Sequence, residues 1–345
     1  MPQTIKCKKV AVALLGYNSK DLLEKFIPSI LKTDYDDYTL VYIDNASVDD
    51  SVEFVEKNFP EIEIFKVKEN QGFTGGYDQS LPYIDAEYYV LLNSDVEVAP
   101  GWLAPIINAM EQDDSVGAAQ PKTLHEPNKQ LFDYGGASGG FIDKYGYTFC
   151  RGRIFDTMEE DQNQYDTPME IFWATGACMA VRAELYHRLG GLDNSFYAHM
   201  EEIDLCWRIK NAGYKIMVYP ESVVYHMGGS VITYGSFTKL YHNYRNNLVM
   251  MLKNLPEGNV FTPIFLRMIL DGVAAVRALL TFSFTEFRAI LMAHLHFYTR
   301  MGQWKERRRE AMQHYVSTPT TGVYNRSIVW DYFVRKIKTF EELNF

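Results

Sequence analysis

The first hundred residues alternate short apolar runs with amphipathic helical segments, and this alternation limits the fold more than any other feature of the chain. The pattern predicts strands at residues 10–15, 39–43, 63–67 and 88–92, separated by helices at residues 20–31, 48–58 and 75–81. Short strands that alternate with helices predict a mainly parallel sheet covered by helices on both faces. The expected fold class is therefore α/β.

Three of these strands end in polar or small residues, at Gly16-Tyr17-Asn18, Asp44-Asn45-Ala46-Ser47 and Asn93-Ser94-Asp95. The carboxyl ends of parallel strands meet at one edge of a sheet, so we expect the three ends to share a ligand-binding crevice. Asn93 and Asp95 are two residues apart and can face the same site, and their oxygens suit a hard divalent cation. An Asx turn that ends the strand is the alternative.

The pattern after residue 101 is mixed. A glycine-rich stretch at 133–143 predicts a loop, residues 159–166 predict a polar surface excursion, and residues 202–212 predict a helix that ends at Gly213. Beyond residue 236 the chain is mainly helical. We therefore expect one domain over residues 1–235, with halves of about 1–100 and 101–235, and a helical region over residues 236–345.

Composition excludes some classes of partner. The chain has 345 residues and a net charge of −10, which argues against nucleic-acid binding. Its four cysteines (Cys7, Cys150, Cys178 and Cys206) lie far apart without CxxC spacing, as expected for reduced thiols in a cytosolic protein. Since we recognise neither a secretory signal nor an apolar run of membrane-spanning length, we expect a cytoplasmic location.

The helices predicted at residues 261–282 and 285–301 leave two alternatives open. Arg267, Asp271 and Arg277 share an arc of about 120° on a helical wheel, so the first helix is amphipathic. A basic cluster follows at Lys305, Arg307, Arg308 and Arg309. An apolar face beside basic residues suits peripheral binding to an anionic membrane surface. Packing against the main domain, or against a second subunit in a homodimer, is the alternative.

Six motifs occur in order between about residues 10 and 244. They read LLGYNSKDLLEKFIPSIL, VYIDNASVDDS, ENQGFTGGYDQSL, LLNSDVEV, ATGACMAVRAELYHRLGGLD and FYAHMEEIDLCWRIKNAGYKIMVYPESVVYH. Together they resemble the inverting glycosyltransferases of family 2, in particular the branch that contains bacterial rhamnosyltransferases of polysaccharide assembly. The resemblance implies the GT-A nucleotide-diphospho-sugar transferase fold. It also implies sugar transfer from a UDP- or dTDP-sugar, with dTDP-rhamnose as one candidate, to a saccharide or polyprenyl-linked acceptor at the inner face of the cytoplasmic membrane.

The resemblance assigns donor-binding roles to the ends of the strands, so residues of about 1–100 are expected to form the nucleotide half and residues of about 101–235 the acceptor half. Tyr17 would lie against the nucleotide base, and Asp44 would accept the imide N–H of uracil or thymine. Asn93 would contact the ribose or a metal-bound water. The glycine-rich turn that opens a helix would offer backbone amides and the helix dipole to the diphosphate through Gly72, Phe73, Gly75 and Gly76.

Metal binding and catalysis are implied for four further residues. Asp95 and His226 would hold Mn²⁺ or Mg²⁺, which offsets charge on the departing diphosphate. A structural histidine at a strand end is the alternative for His226. Glu202 would be the general base that deprotonates the acceptor hydroxyl, with Glu201 as the second candidate. The alternative for both is that acidic residues stabilise a helix N-terminus.

The sugar and acceptor pocket would be built from Trp173, Thr175, Gly176, Ala177 and His199, with core packing as the alternative for Trp173. Other function classes have weaker support. A sugar nucleotidyltransferase would carry a basic glycine-rich loop after the first strand, and an NAD-linked oxidoreductase would carry a GxGxxG fingerprint there. A non-catalytic sugar-nucleotide-binding scaffold is compatible with Asn93 and Glu202, which stand where the family usually has aspartate.

Overall fold

A central β-sheet separates two apolar cores in the computed structural model, which describes residues 3–228, 235–258 and 260–345. Successive residues of a strand point to opposite faces, so a strand that is covered on both faces is apolar throughout. In the strand that begins at Val10, for example, Val12 and Leu14 belong to one core, and Ala13 and Leu15 belong to the other.

The strands are β1 (Ile5–Lys6), β2 (Val10–Gly16), β3 (Tyr38–Asp44), β4 (Glu63–Lys66), β5 (Ile84–Asp85), β6 (Tyr88–Asn93), β7 (Val96–Val98), β8 (Val116–His125), β9 (Asn128–Phe132), β10 (Gly140–Asp143), β11 (Thr148–Cys150), β12 (Arg153–Ile154), β13 (Thr157–Met158), β14 (Met169–Ile171), β15 (Cys178–Arg182), β16 (Lys215–His226) and β17 (Val323–Tyr324). The α-helices are α1 (Lys20–Ile30), α2 (Ser51–Asn58), α3 (Gly72–Ser80), α4 (Leu103–Gln112), α5 (Ala183–Arg188), α6 (Glu201–Asn211), α7 (Phe237–Asn254), α8 (Phe261–Leu280), α9 (Phe284–Thr299), α10 (Met301–Met312) and α11 (Ile328–Phe333).

The central sheet has the strand order β14-β16-β8-β15-β6-β2-β3-β4, with β7 paired to β16 and β9 paired to β8. Strands β6, β2, β3 and β4 are mutually parallel, as predicted. Strand β15 runs antiparallel between β6 and β8, so the sheet as a whole is mixed rather than mainly parallel. The α/β class is confirmed.

A second, smaller sheet joins the chain's C-terminal segment to its middle, with the order β13-β12-β11-β10-β17. Strand β10 lies within the stretch predicted as a loop, because its buried residues Phe141 and Ile142 pack in the core. Strand β17 pairs in parallel with β10, and the Asp143 carboxylate accepts the backbone N–H of Ile328 at 3.0 Å. Residues near the C-terminus therefore pack against the first domain; the boundary near residue 235 stays a prediction.

The C-terminal helices form a layer in which α7 packs against α6 on one side and α9 on another, while α8 and α9 form a helical hairpin. None of the helices in the described part of the chain is long and apolar enough to cross a membrane. The predicted basic cluster is partly used inside the protein. Arg308 donates to the carbonyl oxygens of Leu252 and Leu255 at the end of α7, and Arg307 pairs with Glu310 at 3.1 Å.

Candidate active site

The strand register brings the predicted polar strand ends to one edge of the sheet. Gly16 at the end of β2 is paired with Asp44 at the end of β3, and Leu15 is paired with Asn93 at the end of β6. Tyr17 follows β2 directly and its side chain is exposed at this edge. The predicted convergence of these three strand ends is therefore confirmed.

Asp44 is buried and closes a turn at this edge. Its carboxylate accepts the backbone N–H of Ser47 and the hydroxyl of Tyr42, each at 3.3 Å. A carboxylate has about four acceptor positions, so these bonds leave capacity for one more donor. Asp44 can therefore hold the turn and also accept an N–H from a ligand.

The glycine-rich turn holds the loop that precedes α6. Gly72 has φ +82°, and a Cβ atom there would lie 2.5 Å from the carbonyl oxygen of Tyr197. The N–H of Thr74 donates to the same oxygen at 3.3 Å, and the N–H of Gly72 donates to Asn70 at 2.9 Å. These two amides are engaged within the protein, so the prediction that the turn offers its amides to a diphosphate does not hold for Gly72.

The other members of the turn serve close packing. A Cβ atom on Gly76 would lie 2.6 Å from Cδ1 of Leu15 in β2, so a larger residue here would require the Leu15 side chain to move. Gly75 is similarly crowded by the Gln71 side chain. Phe73 packs edge to face on Tyr77 with ring centroids 5.1 Å apart. These contacts hold α3 against the end of β2, next to the crevice at the strand ends.

A carboxylate–imidazole–carboxylate arrangement lies beside the end of β6. Strand β16 ends at His226, which pairs with Val96, the residue after Asp95. The His226 imidazole has Nε2 at 3.4 Å from Asp95 Oδ1 and Nδ1 at 2.9 Å from Asp133 Oδ2. All three side chains are largely buried. Asp133 thus fixes the ring so that Nε2 points toward Asp95.

The charge balance favours a cation at this cluster. Burial alone would lower the pKa of His226, but the charges of Asp133 and Asp95 and their hydrogen bonds outweigh it and raise that pKa to about 10. Two ligands of one ion, each about 2.1 Å from it, are separated by about 3.0–3.4 Å at angles near 90–110°. The separation of Asp95 and His226 fits a shared divalent ion such as Mn²⁺ or Mg²⁺, which on binding would displace the proton that the raised pKa keeps on the imidazole.

The protein itself contributes few ligands. Within the ranges that the structure describes, no group of three or more His, Cys, Asp or Glu side chains is arranged to hold a metal ion. Asp133 is hydrogen-bonded to the far side of the imidazole and acts on Asp95 and His226 from outside the ligand set. An ion here would need further oxygen ligands, which a diphosphate and water can supply.

Two adjacent carboxylates begin helix α6. Glu201 is buried, whereas Glu202 is partly exposed, and each has one carboxylate oxygen that is buried without a hydrogen-bond partner. Burial raises the pKa of Glu202 to about 7. Burial and then the charge of Glu202 raise the pKa of Glu201 well above its usual range. Glu202 is the more accessible of the two carboxylates.

The loop before α6 has an unusual backbone that other residues hold in place. Tyr197, His199 and Met200 all have φ near +70°, a conformation that costs roughly 1–2 kcal/mol for each non-glycine residue. The Asn246 side chain of α7 donates to three carbonyl oxygens of this loop, at 2.7–3.1 Å. Arg245 adds hydrogen bonds to the carbonyl oxygens at positions 195 and 196. Helix α7 therefore sets the position of Glu201 and Glu202.

A buried ionic network anchors α6 to α7. The Lys253 ammonium lies 2.6 Å from Asp193 and 2.9 Å from Asp204, and Asn254 donates to Asp204 at 2.8 Å. Arg208 pairs with Asp204 at 2.9 Å, four residues along the same helix. This network fixes the helix that carries the two glutamates.

The predicted acceptor pocket is only partly formed by the expected side chains. Trp173 is a core residue: its indole N–H donates to the carbonyl oxygen of Phe141 at 2.9 Å, and the ring packs under Gly140. The prediction that Trp173 stacks on a sugar is therefore wrong. Thr175 and Ala177 are also buried, where the Thr175 hydroxyl accepts the N–H of Ala177 at 3.2 Å.

Gly176 lies beside Glu202 and directly precedes Ala177, which is hydrogen-bonded to the end of β6. A Cβ atom on Gly176 would lie 3.6 Å from both Glu202 and Phe73, so this glycine faces them across a narrow gap. The next residue, Ala177, accepts the backbone N–H of Asn93 at 3.0 Å, two residues before Asp95. His199, with its pKa lowered to about 4 by burial and by the charges of Lys239 and His242, is neutral and lies close to the glutamates in the chain.

Two functional positions were not found by sequence reasoning. Asp133 falls in a stretch interpreted as a glycine-rich loop, and a lone aspartate carries no signal of its own. Asn246 lies in the run Arg245-Asn246-Asn247, three consecutive polar residues that are all buried in α7. Such a polar run inside a helix is the one sequence signal that could have pointed to Asn246.

Comparison with known proteins agrees with this geometry. A family model described as Glycosyl transferase family 2 matches residues 12–190. An N-acetylglucosaminyl-diphospho-decaprenol L-rhamnosyltransferase of Mycobacterium tuberculosis is 21% identical over 232 residues, covering 62% of this chain and 75% of that protein. Rhamnosyltransferase WbbL of Escherichia coli K12 is 24% identical over 136 residues, covering 39% of this chain and 50% of WbbL.

Solved structures share the fold at low sequence identity. GalNAc-T7 with UDP, GalNAc and Mn²⁺ has a TM-score of 0.57 at 17% identity, over 72% of this chain and 48% of that one. The mannosyltransferase PcManGT of Pyrobaculum calidifontis, in complex with GDP-Man and Mn²⁺, has a TM-score of 0.53 at 16% identity, over 91% and 88% of the two chains. The expected GT-A fold is confirmed, and the chain belongs to glycosyl transferase family 2, as a glycosyltransferase of its rhamnosyltransferase-like branch.

Proposed function

We propose that the protein is a metal-dependent inverting glycosyltransferase that uses a UDP- or dTDP-sugar, with dTDP-rhamnose as the first donor to test. One observation carries the proposal: Gly176 lies beside Glu202, and the next residue, Ala177, is hydrogen-bonded to Asn93, two residues before the Asp95 that contacts His226. A cation-binding pair and a carboxylate of raised pKa at one crevice are the groups that sugar transfer from a nucleotide diphosphate needs.

In the proposed reaction Glu202 accepts the proton of an acceptor hydroxyl as that oxygen attacks the anomeric carbon. The attack comes from the face opposite the diphosphate, so a single displacement inverts the configuration. The hydrogen bonds from Arg245 and Asn246 to the loop before α6 keep the Glu202 carboxylate in position. Glu201, whose pKa burial raises well above its usual range, is the second candidate for this base.

The donor would be bound at the strand ends. Asp44 would accept the imide N–H of a uracil or thymine ring, and Tyr17 would pack on the base. Asn93 would contact the ribose. Asp95 and His226 would hold Mn²⁺ or Mg²⁺, which when bound offsets the negative charge that develops on the diphosphate. Gly76 and Phe73 would shape the wall beside it.

The acceptor is proposed to be a lipid-linked saccharide, because the mycobacterial relative is named for a decaprenol-diphosphate-linked acceptor. This would place the protein in cell-surface polysaccharide synthesis, working peripherally at the inner face of the cytoplasmic membrane. Gly176 is the predicted pocket residue whose position beside Glu202 supports an acceptor role. His199, three residues before Glu202 in the chain, is proposed to line the same pocket. Thr175 and Ala177 would support the backbone of the pocket.

Donor hydrolysis tests the proposal. Purified protein is incubated with UDP-, dTDP- and GDP-sugars and Mn²⁺, with and without EDTA, and nucleotide release is measured. We expect release from a uracil- or thymine-containing donor that EDTA abolishes and that falls at least a hundredfold in Asp95→Ala and Glu202→Gln. Asp114→Ala, at a fully exposed aspartate, is the matched control. Nucleotide binding without turnover on any donor would favour the non-catalytic scaffold.

A further inference from the structure

Helix α8 is oriented with its charged side toward the protein. Arg267 and Asp271 are both buried and pair with each other at 2.8 Å, and His294 of α9 lies 3.2 Å from the same aspartate. The Arg267 guanidinium also donates to Asn247 of α7. Because the polar side of this amphipathic helix is used internally, its apolar side faces outward.

That outward side forms a continuous apolar area, which we call the hairpin surface. It consists of exposed residues on α8, its turn and α9, namely Phe261, Phe265, Leu266, Ile269, Val273, Val276, Leu279, Leu280, Phe282, Phe284, Leu291, Leu295 and Tyr298. The α8 members cover an arc of about 140° on a helical wheel, opposite the buried charges. Contiguous apolar surfaces of this kind mark interaction sites.

The exposed charges around the hairpin surface are positive. Arg277, Arg288 and Arg300 are exposed along its edges. The carboxylates between residues 261 and 300 are Asp271, which is buried and paired, and Glu286, which pairs with Arg277 at 2.8 Å. A chain with a net charge of −10 therefore presents its exposed apolar helices with a basic edge. This charge distribution is complementary to an anionic surface.

A groove between the two helices opens on the same surface. It has a volume of about 200 Å³ and is lined mainly by apolar groups, among them Met268, Ala275, Phe287 and Leu291. Leu291 is also a member of the hairpin surface, so the groove is continuous with it. A groove of this volume, with a mainly apolar lining, can accept part of an acyl chain.

We propose that the hairpin surface docks on an anionic lipid bilayer, with α8 and α9 lying in the interface rather than crossing it. Phenylalanines at both ends of α8 would insert below the headgroups, and the arginines at the edges would contact lipid phosphates. In a two-fold symmetric dimer the same basic edges of the two copies would face each other and repel, so a second copy does not account for them. This inference rests on the helices alone and does not depend on the proposed reaction.

The position of the hairpin gives docking a role in catalysis. Helix α9 packs on α7, and α7 carries Asn246, which holds the loop before Glu201. Only one helix layer therefore separates the hairpin surface from the residues that position Glu202. An acceptor with its lipid portion in the bilayer would present its saccharide close to this layer.

Vesicle co-sedimentation of the full chain tests the docking surface. Vesicles of phosphatidylcholine alone, and of phosphatidylcholine with about a third phosphatidylglycerol, are compared at low and high salt. We expect strong binding to the anionic vesicles that weakens with salt. Phe261→Ser/Phe282→Ser/Phe284→Ser, all exposed positions, should lower binding more than tenfold. Arg288→Gln and Arg300→Gln should each lower it about fivefold.

Val316→Ser, at an exposed apolar residue outside the hairpin, is the matched control and should bind as the wild type does. Donor hydrolysis without vesicles should be unchanged in the triple variant, which separates this test from that of the reaction. Absence of vesicle binding by the wild type, or equal binding by the triple variant, would overturn the proposal. A dimer in sedimentation velocity that the triple variant converts to a monomer, without vesicle binding, would assign the surface to a second copy.

Discussion

The Asn246 side-chain amide donates a hydrogen bond of 2.7 Å to the carbonyl oxygen of His199, two residues before Glu201. The same amide reaches the carbonyl oxygens of Phe196 and Ala198 at 3.1 and 2.9 Å. One side chain from α7 thus holds a left-handed stretch of backbone that would otherwise relax. The backbone conformation that leads into Glu201 and Glu202 therefore depends on a side chain of another helix.

Asn246→Ala should reduce activity and stability together. Loss of the amide leaves buried carbonyl oxygens without a donor, which costs about 1–3 kcal/mol. We also expect donor hydrolysis to fall at least tenfold, because the loop relaxes away from its positive φ angles. Urea unfolding and nucleotide release measure the two effects. Asn58→Ala, at an exposed asparagine that donates within its own helix, should change stability by less than about 0.5 kcal/mol.

Asp133→Asn should weaken metal use without removing a ligand. The carboxylate accepts from His226 Nδ1 at 2.9 Å and thereby directs Nε2 toward Asp95. Loss of such a partner typically lowers metal affinity about 10–100-fold. The Mn²⁺ concentration that gives half-maximal donor hydrolysis should rise accordingly, and saturating Mn²⁺ should restore the rate. An unchanged Mn²⁺ requirement, equal to that of the exposed-site control Asp156→Asn, would contradict this role.

The rate should depend on the ionisation of Glu202. Burial raises the pKa of this carboxyl to about 7, and a base must be deprotonated to act. We therefore expect kcat/KM to rise with pH and to level off above about pH 7–8. Glu202→Gln should remove the activity and with it this rise, whereas Glu201→Gln should retain it. A profile that is flat between pH 5 and 9 would exclude Glu202 as the base.

Lys253→Met should unfold the protein more readily. The ammonium lies between the buried carboxylates of Asp193 and Asp204, and removing one partner of a buried ion pair costs about 3–5 kcal/mol. The free energy of unfolding, measured by urea denaturation, should fall by about that amount. Lys57→Met, at an exposed lysine of α2, should leave it within about 0.5 kcal/mol.

Gly72→Ala should disturb the contact between the nucleotide half and the loop before α6. Alanine disfavours the φ of +82°, and its Cβ would lie 2.5 Å from Tyr197 O. We expect a loss of at least about 1–2 kcal/mol in unfolding free energy and a lower affinity for the donor nucleotide. Gly101→Ala, where a Cβ atom meets nothing within 4 Å, is the control. Equal nucleotide affinity in the two variants would show that this contact is dispensable.

The strands of the nucleotide half could be predicted because they are buried on both faces and therefore read as apolar runs. The predicted strand at residues 10–15 differs from β2 by one residue, and Asp44 and Asn93 lie at the strand ends as expected. The pairing of β15 could not be predicted, since an apolar run carries no signal for its direction. Strand β10 could not be predicted either, because it lies in a glycine-rich stretch that is typical of a loop.

Side-chain direction was the main obstacle to predicting the site. Trp173 lies in an irregular segment without periodicity. The sequence therefore did not indicate whether its side chain is buried in the core or lines the binding crevice. The wheel of α8 predicts an amphipathic helix correctly, but it does not tell which side meets the protein. Arg267 and Asp271 face inward because they pair with each other and with α7 and α9, and such pairing over long distances has no local signal.

The location of Arg245 and Asn246 also limits how the protein can be divided. Both residues follow the expected boundary near residue 235, and the match to the family model ends still earlier, at residue 190. A fragment trimmed at the expected boundary near residue 235 would lack the helix that holds its own loop before Glu201. Expression of such a shortened form should therefore yield an inactive protein, however well its nucleotide half folds.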